Sequence, residues 1–153
     1  MRIRLTQIDG KLPNLALMKL AHYHRERGDV PYLTRRLDCE LLEDWPHPHH
    51  VYGSAIFSFS TNRVAEFRRQ WPEAIAGGTY NLLDNSTVEQ IIGADQYEHY
   101  DYSIYPKFKG SIGFTQRGCR LKCGFCVVPR KELPARQIGL WHTVLLPLFG
   151  QFH

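Results

Sequence analysis

Three cysteines fall within eight residues, in the run Cys119-Arg120-Leu121-Lys122-Cys123-Gly124-Phe125-Cys126. Intervals of three and then two residues let one tight loop offer thiolates to three corners of a cubane iron–sulfur cluster. No fourth cysteine stands in the run, which leaves one iron open to a substrate or cofactor. Gly118 and Gly124 allow the backbone to fold closely around an inorganic core. The same thiols admit two other readings. With a histidine such as His99 or His142 they form a zinc site, although zinc motifs commonly pair Cys-x2-Cys units. Cys123-Gly124-Phe125-Cys126 alone is the spacing of a thiol–disulfide motif, which gives Cys119 no role.

The charge around the cysteines is uneven. Between Arg117 and Arg136 stand Arg117, Arg120, Lys122, Arg130, Lys131 and Arg136 against Glu132 alone, a segment of +5 in a chain of net +4. Thiolates and an anionic ligand would need such compensation. A solvated basic loop accounts for the same charges. No nucleic-acid-binding module accompanies them, so nucleic acid is not an expected partner. Cysteines this close together do not staple a secreted domain. Met1 to Asp9 alternates instead of running apolar, and no stretch reaches the ~20 apolar residues of a membrane span. A reducing, cytoplasmic setting without a membrane partner is the expectation. The glycosylation-like triplet Asn85-Ser86-Thr87 is then a chance match.

The elements that must position this loop read as alternating strands and helices. Arg2 to Ile8 is a strand, and Leu15 to Arg27 a helix capped by Asn14 and stopped at Gly28. Asp29 to Thr34 returns as a strand, and a helical turn is expected around Glu40 to Glu43. Val51 to Phe59 is a strand whose end suits a buried parallel position. Asn62 caps a helix to Gln70, with Val64, Phe67 and Trp71 on one face and Pro72 beyond it. Glu73 to Ala76 is a strand ending at Gly77-Gly78-Thr79, and Thr87 to Ile92 a helix. The tyrosine-rich stretch Tyr97 to Pro106 reads as a linker packed on the sheet. Strand, helix and strand at this spacing imply an α/β fold, a doubly wound parallel sheet. A further strand, Ser111 to Thr115, leads into the cysteines. Elsewhere, His47, His49 and His50 with their prolines suggest an exposed loop. His22 and His24 sit near a helix end, where they cap or face solvent, and Cys39 is a buried or free thiol.

The Cys-x3-Cys-x-aromatic-Cys pattern, after a strand and followed by Val127-Val128-Pro129, resembles the signature of the radical-SAM superfamily. The chain from Met1 to about Glu132 resembles members in which the radical-SAM barrel follows a cobalamin-binding-like domain. The resemblance implies a cobalamin-binding-like domain over residues 1–106, and the start of the radical-SAM domain over 107–132. A divergent tail, 133–153, follows. It implies that Cys119, Cys123 and Cys126 hold a 4Fe–4S cluster whose open iron binds S-adenosylmethionine, with Phe125 beside the adenine. The family's chemistry is reductive cleavage of S-adenosylmethionine to a 5′-deoxyadenosyl radical, fed by an electron donor such as flavodoxin or ferredoxin. The substrate is unknown. The family's Asp-x-His-x-x-Gly motif is absent, since Asp9-Gly10-Lys11-Leu12-Pro13-Asn14 follows the first strand, so cobalamin held through histidine is not expected. A full barrel needs roughly 200 residues or more, whereas 27 follow Cys126. The sequence-based expectation is therefore a truncated barrel that binds its cluster better than it turns over.

Overall fold

The computed structural model describes residues 1–39, 47–81, 87–94, 97–114, 116–119, 121, 123, 124, 126, 128, 136 and 137. The chain divides into two units, Met1–Phe108 and Lys109–His153. The expected turn around Glu40 lies outside the described residues, as do Phe125, His142 and the tail beyond Gln137.

In the first unit, β1 (Arg2–Gln7), β2 (Val30–Thr34), β3 (His50–Ser54) and β4 (Ile75–Gly77) form an all-parallel sheet in the order β2-β1-β3-β4. The helices are α1 (Leu15–Glu26), α2 (Thr61–Gln70) and α3 (Val88–Ile92). Pairing in register puts Leu5 beside both Leu33 and Tyr52. On that face Ile3, Leu5 and Tyr52 pack with Leu17, Leu20 and Ala21 of α1. A second apolar cluster joins Ile8, Ala55 and Ala76 to Val64 and Phe67 of α2. Gly53 admits Phe67 to the sheet, because a Cβ there would stand 2.5 Å from the Phe67 ring. The two longer helices thus serve two separate cores, an arrangement compatible with a doubly wound fold.

Local sequence explains the helix ends. Asn14 Oδ1 accepts the Leu17 N–H at 3.2 Å and caps α1. The helix closes in a Schellman motif: Gly28, at φ +78°, donates to Arg25 O, and Asp29 N–H donates to His24 O. Thr87 and Gln90 form a reciprocal capping box on α3, and Gly93 ends it at φ +73°. Asn62, expected as a cap, lies inside α2. That helix is entered instead through a 3-10 turn, Ser58–Ser60, and the Thr61 hydroxyl donates to Ser58 O at 2.7 Å.

The strand expected to run to Phe59 stops at Ser54. The amides of Ile56 and Phe57 are taken by the Asp9 carboxylate at 2.8–3.0 Å, so they are lost to a ladder. Ile56, Phe57 and Phe59 are consequently exposed.

The tyrosine-rich stretch packs chiefly on α1 and reaches the sheet at its end, where Ile104 joins the core of Ile3 and Leu5 and the Tyr105 hydroxyl donates to Gln7 of β1 at 2.9 Å. Lys19, whose side chain is 2% exposed, is held between Glu89 (3.1 Å) and Glu98 (2.9 Å). His22 Nδ1 meets the Tyr97 hydroxyl at 2.7 Å, and Arg25 pairs with Asp101 at 2.7 Å. Positions 19, 22 and 25 share one helical face, so three polar contacts fasten the segment like rungs.

Gly78 supplies a stringent test of this packing. Its φ is +118°, and a Cβ there would stand 1.8 Å from Ala55 O. Gly78→Ala should cost ~2 kcal/mol or more in urea denaturation, since backbone cannot yield as a side-chain tip can. Gly93→Ala, with open space around it, should cost only about 1 kcal/mol from the left-handed backbone.

Candidate functional site

The cysteine segment belongs to the second unit. Two short strands, β5 (Gln116–Arg117) and β6 (Arg136–Gln137), pair antiparallel and bring the two ends of the intervening segment together. The strand expected over Ser111 to Thr115 is corrected by this arrangement. Ser111–Phe114 have no regular structure, Thr115 lies outside the described residues, and the pairing begins at Gln116. Gly110 and Gly113 offer no side chains to pack and weaken a strand at that place. A barrel would begin with parallel pairing, and among the described residues this unit has only the antiparallel pair.

Leaving β5, the chain turns at Gly118, whose φ of +74° suits glycine. Cys119 Sγ then accepts the Leu121 N–H at 3.4 Å. Cys126 N–H donates to Cys123 O at 3.0 Å, so the second and third cysteines flank a closed turn. Cys119 and Cys126 are half-buried and Cys123 is exposed, and all three are free thiols, as is the half-buried Cys39. A Cβ at Gly124 would meet nothing within 4 Å, so the backbone needs no glycine there for space.

Among the described residues, no three His, Cys, Asp or Glu side chains are grouped to hold a single metal ion. A cubane asks for something different, because each cysteine binds its own iron and the thiolates need not crowd round one centre. In donor type and sequence spacing the three cysteines match what three corners of such a cluster require. The zinc reading must find a fourth ligand. His99 is engaged in the first unit, stacked on His22 with ring centroids 5.2 Å apart. Comparison with protein-family models, with curated proteins and with solved structures gives no match.

A second group of titratable residues was not expected from the sequence. His24 is buried in place of capping α1 or facing solvent. Its Nδ1 lies 2.8 Å from Asp29 Oδ2, and its Nε2 lies 3.1 Å from the Tyr52 hydroxyl. The α-amino group of Met1 donates to Asp29 Oδ1 at 2.7 Å. The Asp–His–hydroxyl order looks catalytic, yet Asp29, His24 and Tyr52 are all buried. Its role is to tie α1 to β2 and β3. The signal for it was present locally: the Schellman stop at Gly28 sets the side chain of Asp29 beside that of His24. His22 is half-buried against Tyr97, whereas His47 and His49 are exposed, as the proline-rich sequence suggested. His50 is exposed but opens β3.

These groups make stability depend on pH. Burial chiefly, against the opposing pull of Asp29, lowers the His24 pKa below 6.5, and burial followed by His99 does the same for His22. The unfolded chain therefore takes up more protons than the folded one as pH falls below 6.5, and stability declines. Hydrogen bonds from the Met1 amino group and then His24 hold the Asp29 carboxyl at about 2, against an ordinary 3.8. Its contribution is complete above 3.8 and is lost as pH falls toward 2. Urea denaturation across this range should show both declines. His22→Gln/His24→Gln should flatten the upper limb, and Asp29→Asn the lower one.

Proposed function

We propose that the chain is a radical-SAM-type protein in which Cys119, Cys123 and Cys126 bind a 4Fe–4S cluster and the open iron takes S-adenosylmethionine. The observation that carries this reading is the run of three free thiols at intervals of three and two residues, within one short loop. The turn between Cys123 and Cys126 and the amide bond to Cys119 Sγ support it. When bound, the cluster supplies one electron to the sulfonium of S-adenosylmethionine, which is the source of the superfamily's radical chemistry.

The protein's own part is binding and charge balance. Three thiolates held in one loop repel one another, and the irons together with the six basic residues between Arg117 and Arg136 offset that charge. Phe125 supplies an aromatic side, next to Cys126, for the adenine. The all-parallel sheet of the first unit, with helices serving two cores, supports a doubly wound, cobalamin-binding-like domain. The residues after β1 offer no histidine to cobalt, and Asp9 is committed to the amides of Ile56 and Phe57. Free thiols suit the cytoplasm, where a flavodoxin or ferredoxin serves as electron donor.

Anaerobic reconstitution with iron and sulfide should give about one 4Fe–4S cluster per chain, with a broad visible absorption that dithionite bleaches. Cys119→Ala, Cys123→Ala and Cys126→Ala should each abolish it, while Cys39→Ala should leave it intact. Stoichiometric zinc without sulfide would defeat the reading in favour of a structural zinc site.

A further inference from the structure

We propose that the carboxyl edge of the parallel sheet binds a nucleotide, stacking its base on Phe57 and Phe59 and drawing its phosphate to Lys11, Arg35 and Arg63. The site is built from residues of the first unit alone and does not depend on the cluster reading.

The strand order reverses between β1 and β3, and open parallel sheets bind ligands at the carboxyl ends of the strands at such a point. The loop leaving β3 there is held from two sides. From the β1 exit, Asp9, itself buried, accepts the amides of Ile56 and Phe57. From the β4 exit, the Thr79 hydroxyl donates to Ile56 O at 2.6 Å, and Ala55 N–H donates to Gly77 O at 3.0 Å. These bonds preset the loop before any ligand arrives, which reduces the cost of binding.

What the loop presents is an aromatic platform. The Phe57 and Phe59 rings stack with centroids 5.0 Å apart and planes 8° apart, yet they are 43% and 79% exposed. Two exposed rings stacked side by side make an apolar patch that a ligand can cover. A flat heteroaromatic ring would continue the stack.

Exposed cations stand at the exits of β1 and β2 and at the start of α2, and they favour an anionic partner. Lys11 follows β1, Arg35 follows β2, and Arg63 lies one turn beyond Phe59 where the 3-10 turn runs into α2, all three exposed. Arg35 donates to Lys11 O at 3.2 Å and holds the first two positions together. Among the described residues no carboxylate pairs with any of the three. Asp9 is spent on backbone amides, and Asp38 pairs with Arg36 at 3.3 Å. A planar ring that carries phosphate satisfies both the platform and the cations, whereas an uncharged aromatic satisfies only one.

Flavin mononucleotide and adenosine monophosphate are the probes, titrated against the full chain by fluorescence and calorimetry at low salt. At least one should bind with Kd below about 1 mM. Riboflavin and ribose 5-phosphate, each lacking one half of the recognition, should bind roughly tenfold more weakly or worse. Phe59→Ala should weaken the nucleotide roughly tenfold, and Arg63→Gln should both weaken it and reduce its salt dependence. Both substituted residues are exposed, so thermal unfolding should be unchanged. The Cys119→Ala/Cys123→Ala/Cys126→Ala variant should bind the nucleotide as the parent does, even though it loses any cluster. Failure of both probes to bind would overturn the proposal. So would binding indifferent to Phe59→Ala and Arg63→Gln, or binding lost with the cysteines.

Discussion

β1 hydrogen-bonds along both edges and is covered on both faces, so its polar side chains must be satisfied inside the domain. Arg4 sends its guanidinium to Arg36 O at 2.7 Å and Asp38 O at 3.1 Å, and lies 4.6 Å over the Trp71 ring. Gln7 donates to Gly10 O and Leu12 O and accepts from the Tyr105 hydroxyl, which in turn accepts the Asn14 amide. The central strand thereby orders the loops that leave β1 and β2, along with the end of the tyrosine-rich stretch. The demand for buried polar satisfaction propagates from the sheet to its carboxyl edge.

The same logic holds the outer elements. Lys19 is too deeply buried to stand without partners, and its two glutamates come from α3 and from the segment that follows it. Removing one partner would leave charge stranded, so the ion pairs enforce the docking of both elements more than they add net stability. The His24–Asp29–Tyr52 chain plays a corresponding part at the other end of α1. Titratable groups that look poised for chemistry are here consumed by architecture. Among the described residues, the free thiols of the cysteine loop and the exposed rings of Phe57 and Phe59 are not consumed in this way.

These two places ask for different chemistry. The cysteine loop carries soft sulfur donors, for which iron and sulfide are proposed. The sheet edge carries hard cations and flat rings, suited to phosphate and a base. The two proposals rest on different residues and different observations, so each is tested without the other.

The sequence alone determined what depends on neighbours along the chain. Asn14 as a cap, Gly28 as a stop and the Thr87 box are settled within a turn or two, because the groups they satisfy lie three to five residues away. The cysteine spacing is legible for the same reason, since it is a property of one loop. The alternation of strand and helix likewise showed an α/β chain with a parallel sheet. Tertiary structure decided where hydrogen-bonding groups distant in sequence would go. The end of β3 read as a buried strand from its apolar residues, yet Asp9, 47 residues earlier than Ile56, takes the amides a ladder needs. Lys19 and Arg4 are charged residues whose burial no local pattern announces, and partners 32 to 79 residues away make it tolerable. Local pattern reports propensity; the choice among partners is made only when the sheet brings them together, because an unpaired polar group costs more than a broken pattern.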